Sequence, residues 1–228
     1  MNIQILQLLN GARKAKGLTV IIDVFRAFST ACYAYEYGAS QIIPVGDINS
    51  AYRIKEQNPG YLLLGERNEQ KPAGFDFGNS PTQLIKEKIN SKTIIHTTSA
   101  STQGISNATN ADEIITGSFV NAGAIVNYIK QKQPEQVSLV CMGYACEHPS
   151  EEDTFCAEYI QNELKGTPNH FRKTVERLRN GSGSRFFAKE KQDWAPQTDF
   201  DLCLQLNRFN FVLKIDKKAD LNYLRRID

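Results

Sequence analysis

Short apolar runs alternate with longer mixed stretches through the first two-thirds of this chain. The runs Leu18–Asp23, Gln41–Val45, Tyr61–Gly65, Thr93–Thr97, Glu113–Gly117 and Val137–Cys141 are dense in Val, Ile and Leu, as buried strands require. The stretches between and after them predict helices over Ala27–Tyr37, Ile48–Glu56, Thr82–Lys88, Thr102–Ala108, Val120–Lys130 and Glu152–Leu164. Asp47 and Ser80 suit helix N-caps, and Pro81 suits a first helical turn. Strands this apolar, each followed by a helix, predict an α/β fold with a mainly parallel sheet covered on both faces. Right-handed crossovers follow from that alternation.

After Gly166 the pattern loosens. Phe171–Arg179 reads as a polar helix, 180–184 as a flexible Gly/Ser turn, and Phe209–Ile215 as an edge strand. We read 166–228 as a C-terminal extension of a single domain over 1–228. No repeat or low-complexity tract interrupts the chain.

Composition narrows the class. The 228 residues suffice for a sizeable core, with 41% hydrophobic and 23% charged. A formal charge of +2 gives no argument for nucleic acid or a membrane surface. No apolar segment approaches the roughly 20 residues of a membrane span, and Met1–Leu6 lacks the marks of a signal peptide. The expectation is a cytoplasmic protein. Five scattered cysteines, an odd number, read as reduced thiols. The apolar, aromatic C-terminal third would serve a homodimer interface as well as a core.

Polar residues collect just after the strands. Asp23 follows the first, Glu66 the third, and Thr97, Thr98 and Ser99 the fourth. Ser118 and Asn121 follow the fifth, and Gly143 the sixth, with Glu151, Glu152 and Asp153 shortly beyond. Ligands of open parallel sheets bind at those carboxyl ends, so distant residues converge there. At the first, Asp23-Val24-Phe25-Arg26-Ala27-Phe28-Ser29-Thr30 sets a carboxylate at a strand end and a guanidinium and hydroxyls at a helix start. Helix N-termini attract anions. A carboxylate beside one repels an anion unless a cation lies between, which points to a metal-assisted phosphate site. Asp23, Glu66, Asp76 and Asp153 are the candidate acids, and magnesium is the default cation for clustered oxygen ligands beside phosphate. Gly74-Phe75-Asp76-Phe77-Gly78-Asn79-Ser80-Pro81 adds a loop able to turn N–H groups, Asn79 and Ser80 toward an anion. His96 lies inside a strand and reads as a core residue rather than a base. His148 and His170 read as exposed.

Other phosphate signatures are absent from the sequence. There is no cysteine–arginine phosphate loop, no Arg-His-Gly triplet and no Gly-x-x-x-x-Gly-Lys loop. Phe25 stands where an Asp-x-Asp nucleophile pair would place its second acid.

Taken in order, these motifs resemble the 2-phosphosulfolactate phosphatases. Asp23-Val24-Phe25-Arg26-Ala27 resembles the family's Asp-Val-Leu-Arg-Ala, and Gly65-Glu66 its Gly-Glu. Residues 74–81 are similar to Gly-Phe-Asp-x-Gly-Asn-Ser-Pro, and Thr97-Thr98-Ser99 to its threonine-rich loop. Gly117–Ala122 and Glu152–Ala157 complete the order, covering residues 18 to 165. The resemblance implies a three-layer α/β/α sandwich and magnesium-dependent hydrolysis of a small anionic substrate, the phosphate monoester of a sulfonated hydroxy acid (2-phospho-3-sulfolactate to 3-sulfolactate and phosphate), associated with coenzyme M biosynthesis. It implies Asp23, Arg26 and Asp76 as catalytic groups and Asp23, Glu66, Asp76 and Asp153 as metal ligands. Arg26, Ser29, Asn79, Ser80, Thr98 and Ser99 would hold substrate. Phe28 departs from a small hydroxyl residue, Ser101 from a glycine, and Glu158 from a frequent glycine; Phe28 would make the pocket less polar. Rival readings are a phosphatase of the same type acting on another small phosphorylated acid, and a non-catalytic anion-binding protein.

Overall fold

A computed structural model of the protein describes residues 1–86, 89–218 and 221–228. In chain order it contains β1 (Asn2–Gln7), α1 (Leu8–Lys14), β2 (Gly17–Ile22), α2 (Ala27–Glu36), β3 (Gln41–Pro44), α3 (Ile48–Gln57), β4 (Leu62–Gly65), β5 (Phe77–Gly78) and α4 (Pro81–Lys86). Then come β6 (Thr93–Thr97), α5 (Ser101–Asn107), β7 (Ala111–Gly117), α6 (Ala122–Lys132), β8 (Gln136–Cys141), α7 (Glu151–Lys165), α8 (Phe171–Asn180), α9 (Gln197–Cys203), β9 (Val212–Lys218) and β10 (Leu221–Ile227). Every strand expected in the first two-thirds is present within two residues of its expected ends. Asp47 caps α3 by accepting from the Ser50 N–H at 2.8 Å. The last two residues of the expected Thr82–Lys88 helix lie outside the described residues.

The ten strands form one sheet in the order β1-β8-β2-β7-β9-β10-β3-β6-β4-β5. Its two flanks are parallel, but β7–β9, β9–β10 and β10–β3 are antiparallel. The fold is therefore α/β with a mixed sheet, which corrects the expectation of a mainly parallel one at its centre. The cause is the C-terminal hairpin. Phe209–Ile215 was expected at an edge, whereas β9 and β10 occupy the middle. Three reversals across this hairpin make β3 run opposite to β7. A flat sheet would then put the carboxyl ends of the two parallel flanks on opposite edges. The sheet curls instead, and those ends face a common space.

Both faces are covered. Along β2, Leu18, Val20 and Ile22 cluster with Ile125 and Ile160 from α6 and α7. Ile21 turns the other way, toward Phe28, Ile105 and Met142. The same alternation splits Ile42 from Ile43 on β3 and Ile94 from Ile95 on β6. Phe28 is 2% exposed and belongs to this core. It does not line the site, so the expectation that it makes the pocket less polar is corrected.

Candidate active site

The carboxyl ends of β2, β4, β6 and β8 enclose a cavity of about 230 Å³. Asp23, Glu66, Thr98 and Gly143 reach it from those four ends. Two glycines make the approach possible. A Cβ on Gly65 (φ 150°) would lie 1.8 Å from the Thr97 carbonyl oxygen, and one on Gly143 (φ 66°) 2.2 Å from that of His148. The chain can therefore pass close enough to bring Glu66 against the β6 loop. The Glu66 carboxylate accepts from the Ser99 N–H at 2.7 Å, the Ser99 hydroxyl at 3.1 Å and the Glu69 N–H at 3.0 Å.

Asp23 is 8% exposed and accepts from the Ala27 N–H at 3.1 Å, at the start of α2. Asp153, in the first turn of α7, lies behind it. Its two oxygens accept from the Val24 N–H at 2.8 Å and the Gly143 N–H at 2.9 Å. It thereby ties the β2 and β8 loops together and does not itself line the cavity. Glu152 does line it. Its Oε2 is buried without a hydrogen-bond partner, although the residue is 4% exposed. Burial pushes the Asp23 carboxyl up to about 7; the Ala27 N–H opposes this, while the Glu152 and Glu66 charges add to it. Burial, with the charges of Asp23 and Glu152, holds Asp153 well above the usual carboxylate range.

Arg26, Asn79 and Arg185 also line the cavity. The Phe25–Arg26 peptide is cis. Arg26 is 5% exposed and pairs with the fully buried Asp199 at 2.7 Å. It also donates to the Trp194 carbonyl. Asp199 accepts further from the Ser80 hydroxyl at 2.9 Å, the Thr82 hydroxyl at 2.6 Å and the Thr82 N–H at 3.0 Å. Ser80 thus serves Asp199 rather than the cavity. Asn79 lines the cavity, with His96 Nε2 at 3.3 Å from its Oδ1. Burial holds His96 down at about 3, so it is a neutral core residue, as its strand position predicts.

Of the residues expected at the site, Asp23, Arg26, Glu66, Asn79, Thr98 and Ser99 share this cavity. Ser29 does not: its buried hydroxyl donates to the Val24 carbonyl at 2.8 Å and meets Ser118 Oγ at 2.8 Å. Asp76 does not either. It accepts from the Leu63 N–H at 2.8 Å and lies 3.9 Å from Lys55 Nζ, where it steadies β4. Glu152, Asp199 and Arg185 are the additions. Glu152 had a signal in the sequence, as an acid beside Asp153 in the same helical turn. Asp199 and Arg185 come from the segment without periodicity and had none.

Five acids against two arginines line the cavity, a balance that repels an anion. Among the described residues, no group of three or more His, Cys, Asp or Glu side chains is arranged to cage a metal ion. Magnesium needs no such cage, since it commonly takes one or two carboxylates, waters and substrate phosphate. The partnerless Glu152 oxygen, next to Asp23 and Glu66, supplies oxygen donors of that kind. The residues present fit a magnesium ion in that sense.

The profile of 2-phosphosulpholactate phosphatases matches residues 3–218. The chain belongs to the 2-phosphosulpholactate phosphatase family. Similar proteins in this family include one from Thermotoga petrophila, 50% identical over 124 residues, covering 54% of this chain and 52% of that protein. The match therefore spans about half the length of that relative. One from Bacillus subtilis is 27% identical over 212 residues, covering 92% of both chains. One from Synechocystis is 30% identical over 206 residues, covering 90% of this chain and 82% of that one. All three are named probable 2-phosphosulfolactate phosphatases. Among the described residues, no helix is long and apolar enough to cross a membrane.

Proposed function

We propose that this protein hydrolyses 2-phospho-3-sulfolactate to 3-sulfolactate and phosphate with the help of magnesium, a reaction of the coenzyme M biosynthesis type. The observation that carries this reading is the uncompensated acidic wall of the cavity, where Asp23, Glu66 and Glu152 face one space and one Glu152 oxygen is buried without a partner. Glu152 and Asp23 would hold the cation, with water and the substrate phosphate supplying its remaining oxygens. A magnesium ion held there would supply Lewis-acid polarisation of the phosphoryl oxygens and would offset the carboxylate charge. Asp153 fixes the β2 and β8 loops through its two backbone hydrogen bonds and so positions Asp23. Arg26, held rigid by Asp199, presents a fixed positive charge to the phosphoryl group. Asp23 either takes a proton from the water that displaces the sulfolactate oxygen from phosphorus, or itself displaces that oxygen to form a phospho-aspartate that water then hydrolyses to phosphate; in both cases the departing oxygen takes up a proton.

The test is phosphate release from 2-phosphosulfolactate, with magnesium and with chelator. Release should require the cation, and Asp23→Asn should lower kcat by about 10²–10⁴-fold. Binding without release under every condition overturns the enzymatic reading. Inversion of configuration at a chiral phosphorus assigns Asp23 to proton transfer; retention, or a trapped phospho-aspartate, assigns it to direct attack.

A further inference from the structure

A phosphorylated sulfolactate carries a carboxylate and a sulfonate beyond its phosphate, and the cavity lining offers two arginines to its anions. Arg26 is committed. Its guanidinium is held by Asp199, by the Trp194 carbonyl and, at 3.5 Å, by the Glu69 carbonyl. Arg185 is held more openly. It projects into the cavity from the 3₁₀ segment Ser182–Phe187. One nitrogen donates to the Phe25 carbonyl at 3.1 Å, and the other lies 3.3 Å from a Glu69 carboxylate oxygen. Its guanidinium carbon sits 5.2 Å from the Phe186 ring centroid. Ring and carbonyl thus aim the fork, while Glu69 is a replaceable partner. Both members of the Arg185–Glu69 pair are 20% exposed, so a ligand in the cavity reaches them.

Glu69 presents to Arg185 the same kind of group that a ligand carboxylate or sulfonate would. A guanidinium fork recognises either by two parallel hydrogen bonds. We propose that Arg185 binds a non-phosphoryl anion of the substrate, displacing the Glu69 carboxylate. This rests on the substrate class proposed above. It makes Arg185 a specificity residue: it reads the acid end of the molecule while the acidic wall and its cation handle phosphate.

The experiment pairs two variants whose effects should have opposite signs. Calorimetric binding of 3-sulfolactate should weaken about tenfold or more in Arg185→Met, the range for a hydrogen-bonded charge. In Glu69→Gln, which removes the competing carboxylate, binding should tighten. KM should rise in Arg185→Met for 2-phosphosulfolactate and 2-phospholactate, but not for the neutral-tailed isopropyl phosphate. A rise confined to 2-phosphosulfolactate assigns the sulfonate; a rise for both acids assigns the carboxylate. Unchanged sulfolactate binding in Arg185→Met, equal KM rises for all three esters, or weakened binding in both variants overturns the proposal. If the wild type hydrolyses none of the esters, the phosphatase reading fails while the binding measurements still decide the role of Arg185. A wild type that binds no sulfolactate overturns it as well.

Discussion

Two groups of buried charge meet at this cavity, and they are built on opposite plans. Around Asp199, each charge is answered. Arg26 pairs with it, and Ser80 and Thr82 supply three further hydrogen bonds. Around Asp23 the charges have one sign. Asp153 is held only by backbone N–H groups, and Glu152 keeps an oxygen with no partner. A buried ion pair with its remaining hydrogen bonds made is a closed unit, costly only when broken. A buried like-charged set is open, and binding a cation or a proton relieves it. The Asp199 cluster therefore fixes Arg26 in place at the cavity, while the Asp23 cluster supplies the charge left open for a ligand.

That contrast breaks most sharply at Asp199. Asp199→Ala leaves Arg26 buried and uncompensated and should cost about 3–5 kcal/mol in urea unfolding. A loss below about 1 kcal/mol would mean that Arg26 finds its partners elsewhere. The next effect is a pH dependence of opposite character. Asp23 titrates near 7 in the folded protein against 3.8 for an ordinary aspartate, so the folded state holds its proton more tightly. Without divalent cation, Asp23 should therefore make stability fall as pH rises between 3.8 and about 7, and Asp153, also held above the usual carboxylate range, adds to that fall. Asp23→Asn should flatten that slope, as thermal melts across the range would show.

A smaller effect is expected at Glu152. Glu152→Gln removes a charge from the repelling set and should stabilise the cation-free protein by on the order of 1 kcal/mol. The same change should shrink the rise in Tm on adding magnesium; an undiminished rise would place the cation away from Glu152. The smallest effect is reserved for Asp76. Its carboxylate serves the Leu63 N–H, and an amide oxygen can do the same. Asp76→Asn should shift stability by under about 0.5 kcal/mol and leave phosphate release unchanged. A large loss of turnover would return Asp76 to the site.

The open cluster was the more legible of the two. Asp23, Glu66, Thr98 and Ser99 each follow a buried strand, which marks them as candidates, but the curl of the sheet and not strand periodicity brings the ends of the two flanks together. Asp153 was legible as a neighbour of that edge, but its service to two backbone N–H groups was not, since the sequence does not show which loops meet. Asp76 misled because its flanking glycines look like an anion loop, whereas Lys55 and the Leu63 N–H claim it. The closed cluster was invisible. Asp199 sits in a seven-residue helix without apolar period, 173 positions from Arg26. The strand over Phe209–Ile215 was legible as a strand but not as a central one, because pairing order is set by partners remote in sequence.

The position of the β9–β10 hairpin has a consequence for how the molecule is made. Strands β1 to β8 all precede it in the chain, yet β7 meets β3 only through it. Arg185 and Asp199 also emerge late. On a ribosome, the two flanks can pair their own strands early, but the facing walls of the cavity cannot be sutured until the hairpin leaves the tunnel. The Asp23, Glu152 and Asp153 repulsion lies within one flank, whereas bringing Glu66 to it from the other flank depends on the hairpin.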